Sequence, residues 1–310
     1  MSSMTYPRPV QRSGVLALLQ DYAELFKARV TSLIVMTAWC GFFFGALKSG
    51  ASSLSWSLLH ALLGIGLVAG GTAAFNEVIE HEEDALMRRT ERRPLPAKRM
   101  SLRHATVASI LATCGGVIYL ALACNPLTGL LALATSAAYL GLYTPLKKVS
   151  TLCTFVGAFP GAMPGVLGWV AIRGRLEWEA LVLFAIVFFW QFPHFHSIAW
   201  LYREDYERAQ IRMLPVVHAD GRSTVRAILL YSVGLIPVSM APTFLHMTGR
   251  IYFIAALVLG IGFLWTGLRL GRTGLAATAP SSKALARHVL IASVFYLPLL
   301  FAVMMLNATL

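Results

Sequence analysis

The sequence of residues 55–96, SWSLLHALLGIGLVAGGTAAFNEVIEHEEDALMRRTERRPLP, joins a long apolar segment directly to a dense group of charges. Its first twenty residues contain no Asp, Glu, Lys or Arg, and about 20 apolar residues are enough to cross a bilayer as a helix. Charged side chains then follow in two groups: Glu77, Glu80, Glu82, Glu83 and Asp84, and after them Arg88, Arg89, Arg92 and Arg93. The segment predicts a transmembrane helix that ends in a charged site at one face of the membrane.

Apolar runs of similar length recur along the whole chain of 310 residues. Charged residues make up only 13% of it, whereas soluble domains carry about 25%, so the composition predicts an all-α integral membrane protein. About nine transmembrane helices of roughly 20 residues are expected, near residues 28–47, 55–78, 101–123, 126–145, 151–172, 178–201, 224–245, 250–268 and 288–308. Residues 1–27 are expected to form a cytoplasmic N-terminal segment, and residues 28–310 a single transmembrane domain.

Lys and Arg are concentrated in every second loop between these helices and in the N-terminal segment, which contains Arg8 and Arg12. Because basic loops stay on the cytoplasmic side, the N-terminus is predicted inside and the C-terminus outside. The same bias accounts for the net charge of +12, which is therefore no argument for binding nucleic acid. The expected location is a bacterial inner membrane, or the mitochondrial inner membrane if the source is eukaryotic.

This topology makes the second, fourth and sixth helices run in the same direction, so their C-terminal ends meet at one face. Those ends carry residues 75–96, YTPLKK (143–148) and HFHSIAWLYREDYERAQIRMLP (194–215). Eight of the 14 acidic residues lie at positions 77–84 and 204–207 of the first and third segments, which predicts a place where something cationic is held. The acids are followed by RPLP (93–96) and RMLP (212–215), which suggests a four-helix unit used twice.

The acidic residues of the first segment have the spacing and chemistry of a metal site. On a continuing helix, Asn76, Glu80 and Asp84 form one stripe at i, i+4 and i+8. Oxygen ligands favour Mg²⁺ over Zn²⁺, and Mg²⁺ is typically bound by one or two carboxylates together with phosphate oxygens. The arginines just beyond suit the same phosphates. The segment therefore predicts a metal-bridged diphosphate site, the alternative being a solvated loop in which Asp84 pairs with Arg88.

A diphosphate that binds at a membrane interface has an obvious lipid-soluble form, an isoprenyl diphosphate with its tail in the bilayer. Metal binding makes diphosphate a better leaving group and leaves an allylic cation. An apolar, aromatic helix interior shelters such a cation from water, and aromatic ring faces stabilise it. Prenyl transfer is thus the reaction that these residues favour.

The segment NEVIEHEEDALMRRTERRPL resembles the first aspartate-rich motif, N-x-x-x-D-x-x-x-D, of the UbiA superfamily of intramembrane prenyltransferases. Its second half is similar to the branch that farnesylates haem. Two further segments, YTPLKKVSTLCTFVGAFPGAMPGVLGW and WQFPHFHSIAWLYREDYERAQIRMLPVV, are similar to the same branch. The resemblance runs from about residue 25 to the end of the chain, with three separate motifs in order.

The resemblance implies a bundle of nine transmembrane helices around a central cavity, with two acidic motifs facing each other near the cytoplasmic side. It implies that the farnesyl group of farnesyl diphosphate is joined to a vinyl group of haem B. Water supplies a hydroxyl group, and haem O and diphosphate are released. Haem O would serve terminal oxidases directly or as the precursor of haem A, and the resemblance suggests a downstream haem A synthase as a partner.

The resemblance also implies roles for individual residues, carried over position by position. The expected catalytic residues are Asn76, Glu80, Asp84, Asp205 and Tyr143. The expected Mg²⁺ ligands are Asn76, Glu80, Asp84, Glu204 and Asp205. The expected substrate-binding residues are Arg89, Arg93, Lys147, Lys148, His194 and Arg212, of which His194 would face the haem. The departures from the family pattern are Glu80 and Glu82, where aspartate is usual, Gln210, where glycine is usual, and Gly165, where the second proline of a Pro-Pro pair is usual; none removes a type of ligand.

Three other functions remain open at this point. The nearest is a prenyltransferase of the same superfamily that acts on a quinone-ring or chlorophyll-like acceptor. A membrane transporter also uses buried acids and broken helices, but its charges are expected near the middle of the bilayer, whereas here they gather at one interface. A haem-handling protein without catalytic activity would not need two acidic sites.

Overall fold

The computed structural model describes residues 14–310, so the predicted cytoplasmic position of Arg8 and Arg12 lies outside the described residues. The described chain is helical. Its α-helices are α1 (Val15–Leu25), α2 (Ala28–Lys48), α3 (Trp56–Ile79), α4 (His81–Leu86), α5 (Leu102–Ala123), α6 (Pro126–Ala138), α7 (Thr144–Val149), α8 (Cys153–Arg173), α9 (Trp178–Leu201), α10 (Arg203–Arg208), α11 (Leu214–Val217), α12 (Arg222–Phe244), α13 (Arg250–Arg272) and α14 (Pro280–Leu306). A π-helical turn, Tyr139–Tyr143, joins α6 to α7.

Nine segments of residues 14–310 are long and apolar enough to cross a membrane. They are α2, α3, α5, α6 with its continuation through α7, α8, α9, α12, α13 and α14. The predicted number of spans and the all-α membrane architecture are therefore confirmed, and the predicted boundaries hold closely except at the start of α14. Which membrane face is cytoplasmic remains the prediction made from the distribution of Lys and Arg.

Helix α14 begins at Pro280, eight residues before the predicted start at residue 288. The added turns carry charged residues, so hydropathy alone does not detect them. They are held by polar contacts instead: Trp200 Nε1 donates to Ser282 Oγ at 2.9 Å, and Lys283 Nζ lies 2.8 Å from Glu204 Oε1. The helix thus continues past its apolar part because its polar end has partners on the segment around α9 and α10.

Helix α8 is the most buried of the spans and packs against α2, α6 and α9. Its Gly168 lies against the backbone of α2, where a Cβ atom would overlap the carbonyl oxygen of Ala38. Small residues at such positions let helix backbones approach closely in a membrane protein. Pro160 and Pro164 lie inside α8, which continues through both. The α2–α8 contact fixes the first half of the bundle against the second.

The outward faces of the long helices are apolar. Large side chains such as Leu122, Leu230 and Ile251 are exposed on three different spans, α5, α12 and α13. Contiguous apolar surface on this scale is unusual for a soluble monomer and normal for a surface in contact with lipid. Together with the nine apolar spans, it indicates a multi-pass membrane protein.

Two parts of the chain repeat the same order of elements. Helix α3 has 24 residues and is followed, after a break at Glu80, by the six-residue α4. Helix α9 also has 24 residues and is followed, after a break at Tyr202, by the six-residue α10. RPLP and RMLP lie beyond these short helices. The parallel agrees with the idea of a four-helix unit used twice, which remains a prediction.

Candidate active site

Three segments that follow long helices lie together at one face of the bundle. The backbone N–H of Arg88, in the loop after α4, donates to Asp205 Oδ1 of α10 at 3.4 Å. The backbone N–H of Arg212, in the loop after α10, donates to the carbonyl oxygen of Lys147 of α7 at 2.8 Å. The two acidic segments and the YTPLKK segment are therefore in direct contact.

The first acidic segment does not form the continuous helix that the stripe assumes. Helix α3 ends at Ile79 and α4 begins at His81, with Glu80 between them at φ −99° and ψ 16°. The i to i+4 hydrogen bonds nevertheless continue across the break, from Glu80 N to Asn76 O at 2.9 Å and from Asp84 N to Glu80 O at 2.8 Å. The break turns the three side chains toward different partners.

Each carboxylate of this segment that was predicted to bind metal is paired with a basic residue. Lys147 Nζ lies 2.7 Å and 2.9 Å from the two carboxylate oxygens of Glu80. Arg93 Nη1 lies 2.7 Å from Asp84 Oδ2, and Asp84 is almost completely buried. Two residues predicted to bind metal thus contact two residues predicted to bind diphosphate, so basic residues of the site itself neutralise both carboxylates.

Asn76 is buried near the end of α3 and is held by polar contacts on two sides. Its Nδ2 donates to Thr144 Oγ1, at the start of α7, at 3.1 Å. Its Oδ1 accepts from Lys27 Nζ at 3.3 Å. The amide thereby connects the site to the residue that precedes α2 as well as to α7.

The second acidic segment places its two candidate ligands differently. Asp205 is buried and receives Arg208 in an ion pair in addition to the N–H of Arg88. The side chain of Glu204 is 65% exposed and pairs with Lys283 of α14 at 2.8 Å, and that hydrogen bond lowers the pKa of Glu204. Asp205 therefore faces the first acidic segment, whereas Glu204 points toward α14.

Tyr143 lies beside the cluster at the end of the π-helical turn. Its ring lies under the ammonium group of Lys147, with the nitrogen 4.5 Å from the ring centroid, a favourable cation–π arrangement. Gly157 of α8 makes room for this ring, because a Cβ atom there would lie 2.5 Å from Tyr143 Cδ2. The neighbouring Lys148 is more exposed and pairs with Glu83 rather than with the buried acids.

The remaining predicted substrate-binding residues lie at different depths. Arg89 Nη2 donates to Tyr206 OH at 3.1 Å, so it bridges the two acidic segments at the surface. Arg212 is exposed and joins the site through its backbone. His194 lies deeper, on α9, where its Nδ1 is 2.8 Å from Ser293 Oγ and its ring stacks on Trp190. The structure therefore does not bring His194 into the charged cluster.

Three charged residues of the cluster, Glu77, Lys27 and Arg208, were not among the predicted site residues. Glu77 is 1% exposed, and its Oε1 lies 3.9 Å from Lys27 Nζ and 3.4 Å from Arg93 Nε. Burial and the neighbouring Arg93 guanidinium lower the pKa of Lys27 to about 8, from an ordinary 10.5. The signal in the sequence is weak but present: a carboxylate inside a transmembrane helix is a functional candidate by default, and Glu77 is still inside α3.

The donor atoms of this site are compatible with Mg²⁺, although the carboxylates are paired with basic residues in the structure. Within the described range, no group of three Asp, Glu, His or Cys side chains is arranged to hold a metal ion, because the predicted ligands contact cations instead. The donor atoms are nevertheless carboxylate and amide oxygens, which suit Mg²⁺, and both carboxylate oxygens of Glu77 are buried without a hydrogen bond. The residues fit a Mg²⁺ ion that arrives with a diphosphate, provided that the carboxylates exchange their cationic partners.

Comparison with known sequences links this site to one family and one activity. The model of the family described as "UbiA prenyltransferase family" matches residues 34–286. A protoheme IX farnesyltransferase of Koribacter versatilis is 63% identical over 309 residues, which cover 100% of both chains. The protoheme IX farnesyltransferase of Solibacter usitatus is 46% identical and covers 93% of this chain and 99% of its own.

Comparison with solved structures supports the same fold. A digeranylgeranylglyceryl phosphate synthase superposes with a TM-score of 0.74 at 17% identity, over 93% of this chain and 98% of its own. A UbiA homologue from Archaeoglobus fulgidus, bound to DMAPP and Mg²⁺, superposes with a TM-score of 0.60 at 17% identity, over 92% of this chain and 99% of its own. At such low identities, these likenesses concern the fold alone.

Proposed function

The chain belongs to the UbiA prenyltransferase family, and from that premise we propose that it is the enzyme that farnesylates haem B. The farnesyl group of farnesyl diphosphate is transferred to a vinyl group of haem B, water adds, and haem O and diphosphate are the products. The observation that carries this proposal is the 63% identity, over the full length of both chains, to a protoheme IX farnesyltransferase.

At the reacting carbons the reaction breaks two bonds, the C1–O bond of farnesyl diphosphate and the π bond of the vinyl group, whose electron pair forms the new carbon–carbon bond, and it makes two. The C1–O bond of farnesyl diphosphate breaks with both electrons going to the diphosphate, and the allylic carbon forms a bond to the terminal vinyl carbon of haem. Water then adds to the other vinyl carbon and gives up a proton, which leaves the hydroxyl group of haem O. When bound, Mg²⁺ supplies charge neutralisation that makes diphosphate a better leaving group.

The protein's part at the head group is an exchange of ion-pair partners. Glu80, Asp84 and Asn76 would hold the metal ion, and the two carboxylates would then release Lys147 and Arg93, which they contact in the structure. The two released cations then bind the diphosphate oxygens. Charge-assisted hydrogen bonds to a leaving diphosphate grow stronger as its negative charge increases, so these cations favour breaking of the C1–O bond.

We assign the second acidic centre to Asp205 rather than to Glu204. Asp205 is buried and contacts the loop after α4, whereas Glu204 faces α14 and solvent. Arg208, which pairs with Asp205 in the structure, is the cation that Asp205 releases. Arg89 lies at the outer rim of the same site, where it binds the head group or a haem propionate.

The aromatic region around His194, deeper in the bundle, is assigned to binding haem B, the acceptor of the farnesyl group. His194 lies among aromatic rings on α9, away from the charged cluster, and in this proposal it faces the haem. The enzyme works in the bacterial inner membrane, with the charged cluster on the cytoplasmic side, and it passes haem O to terminal oxidases or to a haem A synthase. These assignments extend the sequence reasoning and are proposals.

The test is a transfer assay with purified protein in detergent or nanodiscs. Wild type is incubated with haem B, farnesyl diphosphate and Mg²⁺, and haem O is identified by its mass. Asp84→Asn is expected to abolish the product because it removes a buried metal-binding charge. A matched control is Glu179→Gln, a buried carboxylate at the start of α9, at the other end of that helix from the site.

The outcomes separate the alternatives. Haem O from wild type and from Glu179→Gln, with none from Asp84→Asn, supports both the reaction and the site. Normal turnover by Asp84→Asn contradicts the metal assignment. A prenylated quinone-ring acceptor in a parallel reaction, with haem B left unchanged, contradicts the acceptor.

A further inference from the structure

Glu77 has a carboxyl group that is buried in the last turns of α3 without the hydrogen bonds that such a group normally has. Its side chain is 1% exposed, and neither carboxylate oxygen accepts a hydrogen bond from the described part of the chain. An unsatisfied buried charge is costly. A residue with only a structural role would be expected to have its hydrogen bonds completed, so this carboxylate needs another explanation.

The neighbours of Glu77 are two cations, each shared with a predicted metal ligand. Lys27 Nζ lies 3.9 Å from Glu77 Oε1 and 3.3 Å from Asn76 Oδ1. Arg93 contacts Glu77 through Nε at 3.4 Å and Asp84 through Nη1 at 2.7 Å. Glu77 is therefore the common anion of an arrangement that runs from Asn76 through the two cations to Asp84.

The backbone at Lys27 shows that its position is held against a local preference. Its φ of 48° and ψ of 49° are left-handed, a conformation that non-glycine residues seldom adopt. Strain of this kind persists only where surrounding contacts maintain it, and it is concentrated at functional sites. The Lys27 ammonium group is thus held next to Glu77 by the fold.

We propose that Glu77 is a positioning residue that makes diphosphate binding depend on the metal ion, because it is the shared counter-ion of Lys27 and Arg93. The inference rests on the proposed function, in which the site binds a metal-bridged diphosphate. Before metal arrives, Glu77 neutralises both cations and disfavours a free diphosphate. After Asn76 and Asp84 turn to the metal, Glu77 still holds both cations beside the head group.

This role predicts effects of opposite sign for two substitutions that break the same contact. Glu77→Gln leaves Lys27 and Arg93 with excess positive charge, so metal-free diphosphate is expected to bind more tightly and more Mg²⁺ to be needed for half-saturation. Lys27→Gln leaves excess negative charge, so metal-free diphosphate should bind more weakly and less Mg²⁺ should be needed. A contact that was only structural would give the same direction of change in both variants.

The experiment measures binding of inorganic pyrophosphate to the full-length purified protein by isothermal titration, first with EDTA and then over a series of Mg²⁺ concentrations. We expect Glu77→Gln to lower the metal-free Kd by roughly tenfold, because the variant removes one buried negative charge from beside the two cations that bind the diphosphate. Glu77→Asp, which keeps the charge, is expected to restore the metal dependence of wild type. Glu179→Gln is the matched control and should bind like wild type.

Equal metal-free affinities of wild type and Glu77→Gln overturn the inference, and so do changes of the same sign in Glu77→Gln and Lys27→Gln. If Glu77→Gln does not fold, Lys27→Gln decides alone, because a higher Mg²⁺ requirement in that variant contradicts the role of Glu77. Haem O formation by wild type, measured in parallel, reports on the proposed function separately from these binding results.

Discussion

Removing both charges of the ion pair between Glu80 and Lys147 is expected to destabilise the protein by less than the sum of the two single changes. The ammonium nitrogen lies 2.7 Å and 2.9 Å from the two carboxylate oxygens. The side chains are only 13% and 10% exposed, so water replaces a lost partner poorly. The Tyr143 ring lies under the ammonium group and gives Lys147 a second favourable contact that Glu80 lacks.

The size of the effect follows from this geometry. Two unit charges 2.7 Å apart attract by about 6 kcal/mol at an effective dielectric constant of about 20, and desolvation of the two groups offsets much of it. We therefore expect a coupling energy of about 2 kcal/mol. Lys147→Met should lower the free energy of unfolding by about 3 kcal/mol because it leaves a nearly buried carboxylate unpaired. Glu80→Gln should cost about 1 kcal/mol less, because the cation–π contact of Lys147 remains.

The assay is a double-mutant cycle by equilibrium unfolding with SDS in mixed micelles, followed by circular dichroism. A control cycle on Arg203 and Glu207, a pair at 3.2 Å in which Glu207 is half exposed, should give a coupling below about 1 kcal/mol. If the two single changes at Glu80 and Lys147 add, with a coupling no larger than that of the control, the view that this pair holds α3 against α7 is refuted.

Three further predictions concern other parts of the molecule. Gly168→Ala should lower the free energy of unfolding by about 1–3 kcal/mol because it overpacks the α2–α8 contact, while Gly115→Ala, where a Cβ atom meets nothing within 4 Å, should change it little; SDS unfolding measures both. The hydrogen bond from Arg173 lowers the pKa of Glu177 from 4.5 to about 2. Its contribution to stability is therefore present above pH 4.5 and lost as the pH falls toward 2, a loss that Arg173→Gln should make smaller in unfolding measured across that pH range. Asp205→Asn should reduce haem O formation at least tenfold with little change in melting temperature, whereas an unchanged rate would remove Asp205 from the site.

The spans were predictable because lipid imposes one requirement, length of apolar sequence, which local composition reports directly. The same reasoning failed at the start of α14, where the helix is maintained by partners rather than by hydropathy. Trp200 shows the same limit inside a span: it is completely buried and donates to Ser282, and its apolar neighbours in the sequence do not indicate this. Local composition does not indicate which face of an apolar helix packs against other helices and which faces lipid.

The location of the charged site was also predictable, but its internal pairing was not. Helix direction alone brings the ends of α3 and α9 to one face. The contact of Lys27 with Asn76 joins residues 49 positions apart through a left-handed residue, and nothing in the local sequence specifies it. Gln210 shows the same limit, since its φ of 55° explains why glycine is usual there but does not say which residue of the loop faces the site.

The acids and bases of the cluster neutralise one another, and this explains why the site binds a metal ion and a diphosphate together rather than either one alone. Four acids and four bases pair within it: Glu77, Glu80, Asp84 and Asp205 with Lys27, Arg93, Lys147 and Arg208. A metal ion alone displaces cations that then have no anion, and a diphosphate alone displaces carboxylates that then have no cation. In a half-buried site either displacement leaves charges uncompensated, which costs several kcal/mol. A metal–diphosphate complex brings both signs at once, so each protein charge that loses a partner gains another. The pairing seen in the structure therefore favours binding of the metal–diphosphate complex over binding of either component alone. Glu77 binds neither component in this scheme, and it keeps Lys27 and Arg93 in place while the other charges exchange partners.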